Sequence, residues 1–293
     1  MQDLDEDKKV EVFSHEWIRC PAFLFEPDPS LDQDYAMRKG NKVDYLAAIK
    51  TSISSSWMEV DKLPPSDKSV VMVVDAVAFI QHQRDLGSRT FHELQLKYLK
   101  QLLSSIPDCI HFVGDRYDVS QAESVKGEER EKRMNTCPSK MKEYKLHDTL
   151  VIAEWKGLIY HPLNKANLLN YMGESWAAQN ESLPALCTLV LGGIFRDPGR
   201  TVLLSAECPV ELPELSCEKH EEADTRMFAH IVYSVQHLHH KRAVVAATNT
   251  DVIMMCIYYI THLHGLQELW EQKKDSYLPA QCSCNCQSPG SKV

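Results

Sequence analysis

Three aspartates stand where apolar runs of the sequence stop. Val70–Val74 runs directly into Asp75, and Cys109–Val113 runs into Gly114 and Asp115, with Asp118 shortly beyond. Ala243–Ala247 is followed by Thr248, Asn249, Thr250 and Asp251. A further carboxylate, Asp224, falls inside an apolar helical face made by Ala223, Met227, Ile231, Val235 and Leu238 and widened by Phe228 and Val232. Burying a lone carboxylate costs several kcal/mol unless it is paired or bound to metal. Carboxylates gathered at one place raise one another's pKa unless a cation neutralises them. An all-oxygen ligand set of this kind suits Mg²⁺ or Mn²⁺ rather than zinc. Capping is the alternative for any one strand-end aspartate, because Asp is a favoured helix N-cap and each precedes a helix or turn. For Asp224 the alternative is an ion pair with an arginine.

Two glutamates precede Asp224. Glu221 lies at the edge of the same face if the helix is regular from His220, whereas Glu222 then points away. A basic stripe follows the Asp115–Asp118 turn: Lys126, Arg130 and Arg133 share one side of a helical pattern spanning about Gln121 to Met134. Residues 126–145 hold seven basic and four acidic side chains, a local net of +3. Cations beside a carboxylate pocket are what phosphodiester chemistry needs, with bases gripping backbone phosphates and metal handling the reacting one. A solvated helix whose bases pair with Glu128, Glu129 and Glu131 is the alternative.

The elements that must position these groups are legible as apolar patterns. Val70–Val74 and Cys109–Val113 read as strands buried on both faces. Ala185–Val190, Thr201–Leu204 and Ala243–Ala247 read as further strands, with Gly192-Gly193 and Pro198-Gly199 in the connection between the first two of these. Helices are expected over Arg89–Leu103, Leu163–Ala178 and His220–His239, and from about Val252 onward. Strands alternating with helices predict an α/β fold with a mainly parallel sheet. In such sheets ligands bind beyond the carboxyl ends of the strands, where the three aspartates lie. The breaker Lys62-Leu-Pro-Pro-Ser-Asp67 predicts an acidic, partly ordered segment over 1–66, then an α/β domain over 67–275 and a disordered cysteine-containing tail over 276–293.

Composition narrows the class. With 44% hydrophobic and 25% charged residues in 293, the chain is neither collagen, coiled coil nor disordered throughout. Its longest purely apolar stretch, Val252–Ile260, is too short to span a membrane, and no charged-then-apolar leader opens it. Ten cysteines without a repeating framework read as reduced thiols, so an intracellular protein, nuclear or cytoplasmic, with no membrane partner is expected. The net charge is −9, but −7 of it lies in residues 1–34, so global charge does not exclude a polyanionic partner for the rest. Cys282-Ser-Cys-Asn-Cys286 lacks zinc-site spacing, and Gly192-Gly193 lacks the remainder of a phosphate loop.

Four blocks occur in an order that resembles the PIN-like, flap-endonuclease type nucleases: Val-Val-Asp-Ala at 73–76, Asp-Arg-Tyr-Asp at 115–118, His-Glu-Glu-Ala-Asp-Thr-Arg at 220–226 and Thr-Asp-Val at 250–252. More narrowly they resemble an animal PIN-like group common in transposon-rich genomes. The resemblance covers roughly 68–275 and implies a Rossmann-like three-layer α/β/α sandwich. It also implies Mg²⁺ or Mn²⁺ held by acids, with endonucleolytic hydrolysis of DNA or RNA. By residue match Asp75 and Asp115 would contact the cations, Glu222 and Asp224 would form the acidic pair of the helix, and Asp251 would be the second acid of an Asp-x-Asp. Lys126 and Arg133 would lie over the scissile phosphate. Asn249 stands where the group has the first acid of that motif, and the sequence ends before a Gly-Cys-Asp segment that would supply another. Fewer negative charges hold Mg²⁺ less tightly, so the expectation is an attenuated nuclease. The alternative is a catalytically inactive nuclease-derived scaffold that binds nucleic acid or protein.

Overall fold

The fold is given by a computed structural model. It describes the backbone of 25–27, 35–37, 47–48 and 51, and then residues 59–104, 109–116, 142–152, 154–179, 183–184, 187–217, 220, 222–247, 249–273 and 276–280. The predicted helix over 121–134, with Lys126, Arg130 and Arg133, lies outside the described residues, as do Glu221, Asp118 and residues 281–293 of the expected tail, whose first residues, 276–280, are instead ordered through the strand Tyr277–Pro279.

The chain divides into two compact units, Met1–Ser54 and Ser55–Val293. In the first, β1 (Phe25–Pro27) pairs antiparallel with β2 (Tyr35–Met37), Phe25 opposite Met37. The second contains, in order, β3 (Val70–Asp75), α1 (Ala76–Gln83), α2 (Phe91–Leu103), β4 (Cys109–Val113), α3 (Trp155–Tyr160) and α4 (Pro162–Ala178). There follow β5 (Thr188–Gly192), β6 (Thr201–Leu204), β7 (Val210–Glu211), α5 (Ala223–Gln236), β8 (Arg242–Ala246), α6 (Thr250–His262), β9 (Glu268–Gln272) and β10 (Tyr277–Pro279). The division falls ahead of the Lys62–Asp67 breaker, and Val60 bridges Tyr277, so the residues just before the breaker join the α/β unit.

The sheet is eight-stranded, in the order β10-β9-β8-β3-β4-β5-β6-β7. Its centre is parallel (β9, β8, β3, β4 and β5), and antiparallel strands finish each edge. This is an α/β fold with a mainly parallel sheet, compatible with a Rossmann-like architecture. The strands are apolar on both faces because both faces are covered. Met72, Val74, Ile110, Phe112 and Leu191 pack with residues of α1, α2 and α4 such as Ile80, Leu94, Tyr98 and Trp176. Val71, Val73, Val113, Ala243 and Val245 pack with Met227, Phe228, Ile231, Val252 and Cys256 of α5 and α6.

Local signals set the helix starts. Thr90 caps α2 by accepting from the Glu93 N–H at 3.3 Å, while Glu93 Oε2 reaches back to the Arg89 N–H at 2.9 Å. Pro162 opens α4, where its missing N–H is no loss. One sequence expectation is corrected: the helix expected from His220 begins at Ala223, because Glu222 is still extended (φ −96°, ψ 144°). That helix also ends at Gln236 rather than His239, where His239 takes a left-handed φ of 59°.

Candidate functional site

Parallel register brings the aspartates together. Val74 is level with Ala246 of β8 on one side, and Asp75 is level with Val113 of β4 on the other. Asp75, Asp115 two residues past β4 and Asn249 three residues past β8 therefore leave the same edge of the sheet. From β3 the chain builds outward through β4 and β5, then returns to the other side of β3 with β8 and β9. The crevice between β3 and β8 is thus the point where strand order reverses, the usual ligand position in open α/β sheets.

Asp75 is both the last residue of β3 and the N-cap of α1. Its Oδ1 accepts from the Val77 N–H at 2.8 Å and the Ala78 N–H at 3.0 Å. Two such bonds at a helix N-terminus lower a carboxyl pKa. Here the balance runs the other way. Burial raises it most, and the nearby Asp115 and Asp224 carboxylates add to the rise, leaving Asp75 at about 6 against an ordinary 3.8. Capping and crowding coexist at this residue.

Asp115 caps a helix far away in sequence: its Oδ1 accepts from the Ala223 N–H at 2.7 Å. That bond fixes the first residue of α5 against the end of β4 and presents Asp224, the next residue, to the same crevice. Asp224 is 9% exposed, as the helical pattern implied. Its Oδ2 accepts from the Asn249 side-chain amide at 2.5 Å, while Asn249 Oδ1 accepts from the Asp251 N–H at 3.2 Å and so caps α6. Arg226 does not take the role of a surface partner. Fully buried, it donates from Nη2 to the Cys217 carbonyl at 3.2 Å and the His220 carbonyl at 2.9 Å, strapping the loop that leads into α5.

The remaining predicted residues are less central. Glu222 is half-buried at the N-cap of α5 without a side-chain cap bond, and Asp251 is exposed on the first turn of α6. The side chain beside Asp224 from this loop is Asn249, which the sequence presents only as a missing acid. Sequence reasoning also missed the pairing of His111 with His230, whose Nδ1 atoms are 2.9 Å apart with neither ring exposed. Gly192 makes room for that pair and Gly193 for Arg226. A Cβ at Gly192, the last residue of β5, would lie 2.8 Å from the His230 ring, and one at Gly193 would lie 2.6 Å from Arg226 Nη1.

Among the described residues no group of three or more His, Cys, Asp and Glu side chains forms a ready-made metal cage. The donor chemistry nonetheless fits a hard divalent cation. The three carboxylates supply oxygen only, and their mutual repulsion at Asp75 is the kind a cation relieves. A carboxylate offers about four acceptor sites, so a capping bond to one oxygen does not exhaust it. Among the described residues no helix is long and apolar enough to cross a membrane. No family model matches this chain, and neither does any curated protein or solved structure.

Proposed function

We propose that this chain is a divalent-metal-dependent nuclease of PIN-like type, a Rossmann-like three-layer α/β/α sandwich acting on phosphodiesters of DNA or RNA. One observation carries the reading. Carboxylates from the end of β3, the end of β4 and the first turn of α5 come together at the strand-order reversal, where burial first, and the Asp115 and Asp224 charges after it, raise Asp75 to about 6. Structural caps have no need to crowd; a cation site does.

Asp75, Asp115 and Asp224 would hold the metal, with Glu222 and Asp251 at the rim as the family resemblance implies. A bound Mg²⁺ or Mn²⁺ supplies an activated water and charge neutralisation at a phosphodiester. The chain's own part is positioning. The Val77 and Ala78 N–H groups fix Asp75, the Ala223 N–H fixes Asp115, and Asn249 fixes Asp224. Near pH 6 Asp75 is about half protonated, which lessens the crowding of negative charge in the crevice. Lys126, Arg130 and Arg133 are assigned to the substrate backbone on sequence grounds. The test is cleavage of flap and single-stranded DNA or RNA by the full chain in Mn²⁺, beside Asp75→Ala. Cleavage that the substitution leaves unchanged overturns the assignment.

A second reading has a specific observation in its favour. The Asn249 side-chain amide occupies an Asp224 oxygen that an acid at this position would leave to a cation. A catalytically inactive scaffold would bind nucleic acid without metal, more weakly in salt and more weakly with Lys126 or Arg133 replaced. Metal-independent binding together with no cleavage in Mn²⁺ selects it.

A further inference from the structure

With both rings neutral, the hydrogen bonds around His111 and His230 allow one arrangement of protons. Ser234 Oγ lies 2.7 Å from the His230 carbonyl oxygen and 3.4 Å from His111 Nε2. Its hydroxyl proton goes to the nearer carbonyl, the usual back-bond of a helical serine, so its oxygen accepts from His111 Nε2–H. A neutral imidazole carries one N–H, which leaves His111 Nδ1 an acceptor. The proton between the rings, across 2.9 Å, therefore belongs to His230 Nδ1. His230 Nε2 remains a bare lone pair, buried and without a hydrogen-bond partner.

That lone pair faces the end of the β5–β6 ladder. A Cβ at Gly192 would lie 2.8 Å from it and 3.6 Å from Oγ1 of Thr201, the residue paired with Gly192. A strap, Leu212–Cys217, lies over this ladder and is built on one 3-10 turn, Pro213–Leu215. Its Leu212 and Leu215 form with Val190 a small core of their own, flanked by Leu203 and Tyr233. Thr201 Oγ1 donates to the Leu215 carbonyl at 2.8 Å, and the Leu212 N–H donates to the Thr201 carbonyl at 2.8 Å. Arg226 Nη2 holds the far end through the Cys217 carbonyl. Cys217 itself takes a left-handed φ of 48°, which is unfavourable for a residue with a Cβ.

Charge decides when the strap is held. The groups acting on His230 are His111 on β4, Arg226 one turn back on α5 and His220 beyond the strap, and each opposes a proton there. His240, after α5, acts on His111 in the same sense. On the strap, Glu214 acts on Tyr233, and Cys217 is acted on by Arg226. A proton on Nε2 in the closed structure would be a buried cation near Arg226, and water reaching the ring relieves it.

We propose that His230 is the catch of an acid-operated strap: a proton on Nε2 is accommodated when Leu212–Cys217 lifts from the β5–β6 ladder and lets water reach the ring. Lifting it opens the small core and leaves the two large ones intact, so it precedes unfolding. Arg226 stands two residues past Asp224, so release of the Cys217 carbonyl also loosens the start of α5. The inference does not depend on the phosphodiester reading, and its test uses neither metal nor substrate.

The experiment is hydrogen–deuterium exchange of the full chain at pH 7 and pH 5, read peptide by peptide and corrected for the intrinsic effect of pH on exchange. The Leu212 and Leu215 amides, both bonded to carbonyls in the closed structure, should exchange roughly 20-fold faster at pH 5. That is the rise expected when one histidine of ordinary pKa, about 6.5, is exposed on opening. β3 and α2 should stay as protected as at pH 7. His230→Gln, which takes up no proton, should abolish the rise. Thr201→Val keeps the titrating ring and removes one tie, so its strap should exchange about tenfold faster at pH 7 and show the same rise to pH 5. This variant carries the test if His230→Gln does not fold. No rise in the wild type, an equal rise in β3 and α2, or a rise that persists in folded His230→Gln overturns the proposal. A Thr201→Val strap as slow as the wild type overturns it too.

Discussion

The side-chain amide of Asn249, in the loop after β8, donates to the carboxylate of Asp224 in the first turn of α5 at 2.5 Å. An amide here turns what would be a carboxylate–carboxylate contact into a hydrogen bond, while its own oxygen caps α6 through the Asp251 N–H. It stabilises the crevice without a cation and removes one charge that a cation would use.

Asn249→Asp is therefore expected to be less stable in EDTA by about 1–3 kcal/mol, the scale of a hydrogen bond to a charged group. Mn²⁺ should more than restore it. Thermal melts with and without Mn²⁺ check this, and the stabilisation by Mn²⁺ should exceed that of the wild type. Equal melting temperatures in EDTA and equal responses to Mn²⁺ would show that position 249 does not face the proposed metal site.

Asp75→Asn separates the cap from the charge, because Asn caps helices as well as Asp does. Asp75 has a folded-state pKa raised to about 6 from 3.8, so the folded state binds the proton more tightly than the unfolded chain. The stability this gives is fully present below pH 3.8 and is lost as pH rises through 6. At pH 8 the substitution should stabilise the chain by on the order of 2 kcal/mol, and the advantage should vanish near pH 4. Urea denaturation across this range reads it directly. A destabilised Asp75→Asn at pH 8 would mean that burial and neighbouring charge do not raise the group.

His111 and His230 act in the opposite direction on acidification. Burial lowers both: His111 falls to about 3, helped by nearby His240, and His230 falls well below its usual value, helped by His111, Arg226 and His220. Below pH 6.5 the unfolded chain takes up protons that the folded chain refuses. Stability then declines as the pH falls below 6.5, and both histidines contribute to the decline. His230→Gln should make the decline shallower. Parallel slopes for wild type and variant would place the acid sensitivity elsewhere.

Two glycines with left-handed φ should respond differently to alanine. At Gly87 (φ 63°) nothing lies within 4 Å of an added Cβ, so only the backbone cost applies, about 1 kcal/mol. At Gly193 (φ 70°) the Cβ would also overlap the Gly114 oxygen and Arg226 Nη1, and the loss should reach about 2–4 kcal/mol. Urea midpoints compare them, and equal losses would contradict the packing of Arg226 against this turn.

How far the sequence reached can be followed residue by residue. Val70–Val74 and Cys109–Val113 were readable because strands covered on both faces leave unbroken apolar runs, and Asp224 stood out as a carboxylate in an apolar stripe. The start of α5 was not readable, since the Ala223 N–H is capped by Asp115 from another strand rather than by a neighbour in sequence. Strand β9, second from the edge of the sheet, was hidden by Glu268, Glu271 and Gln272, whose polar types mask the pattern although Glu271 is 3% exposed. The contacts of Asn249 with Asp224 and of His111 with His230 join elements that only the folded sheet brings together, so no local pattern announces them.

The convergence of the three carboxylates is tested most directly by calorimetric titration of Mn²⁺ into the full chain at pH 6, where Asp75 is about half protonated. Wild type is compared with Asp75→Asn, Asp115→Asn and Asp224→Asn. The expected result is one saturable event that releases protons in the wild type and weakens at least tenfold in every variant, with the proton release lost in Asp75→Asn. Binding of equal strength in all four proteins, or none in the wild type, would contradict a shared cation site at the ends of β3 and β4.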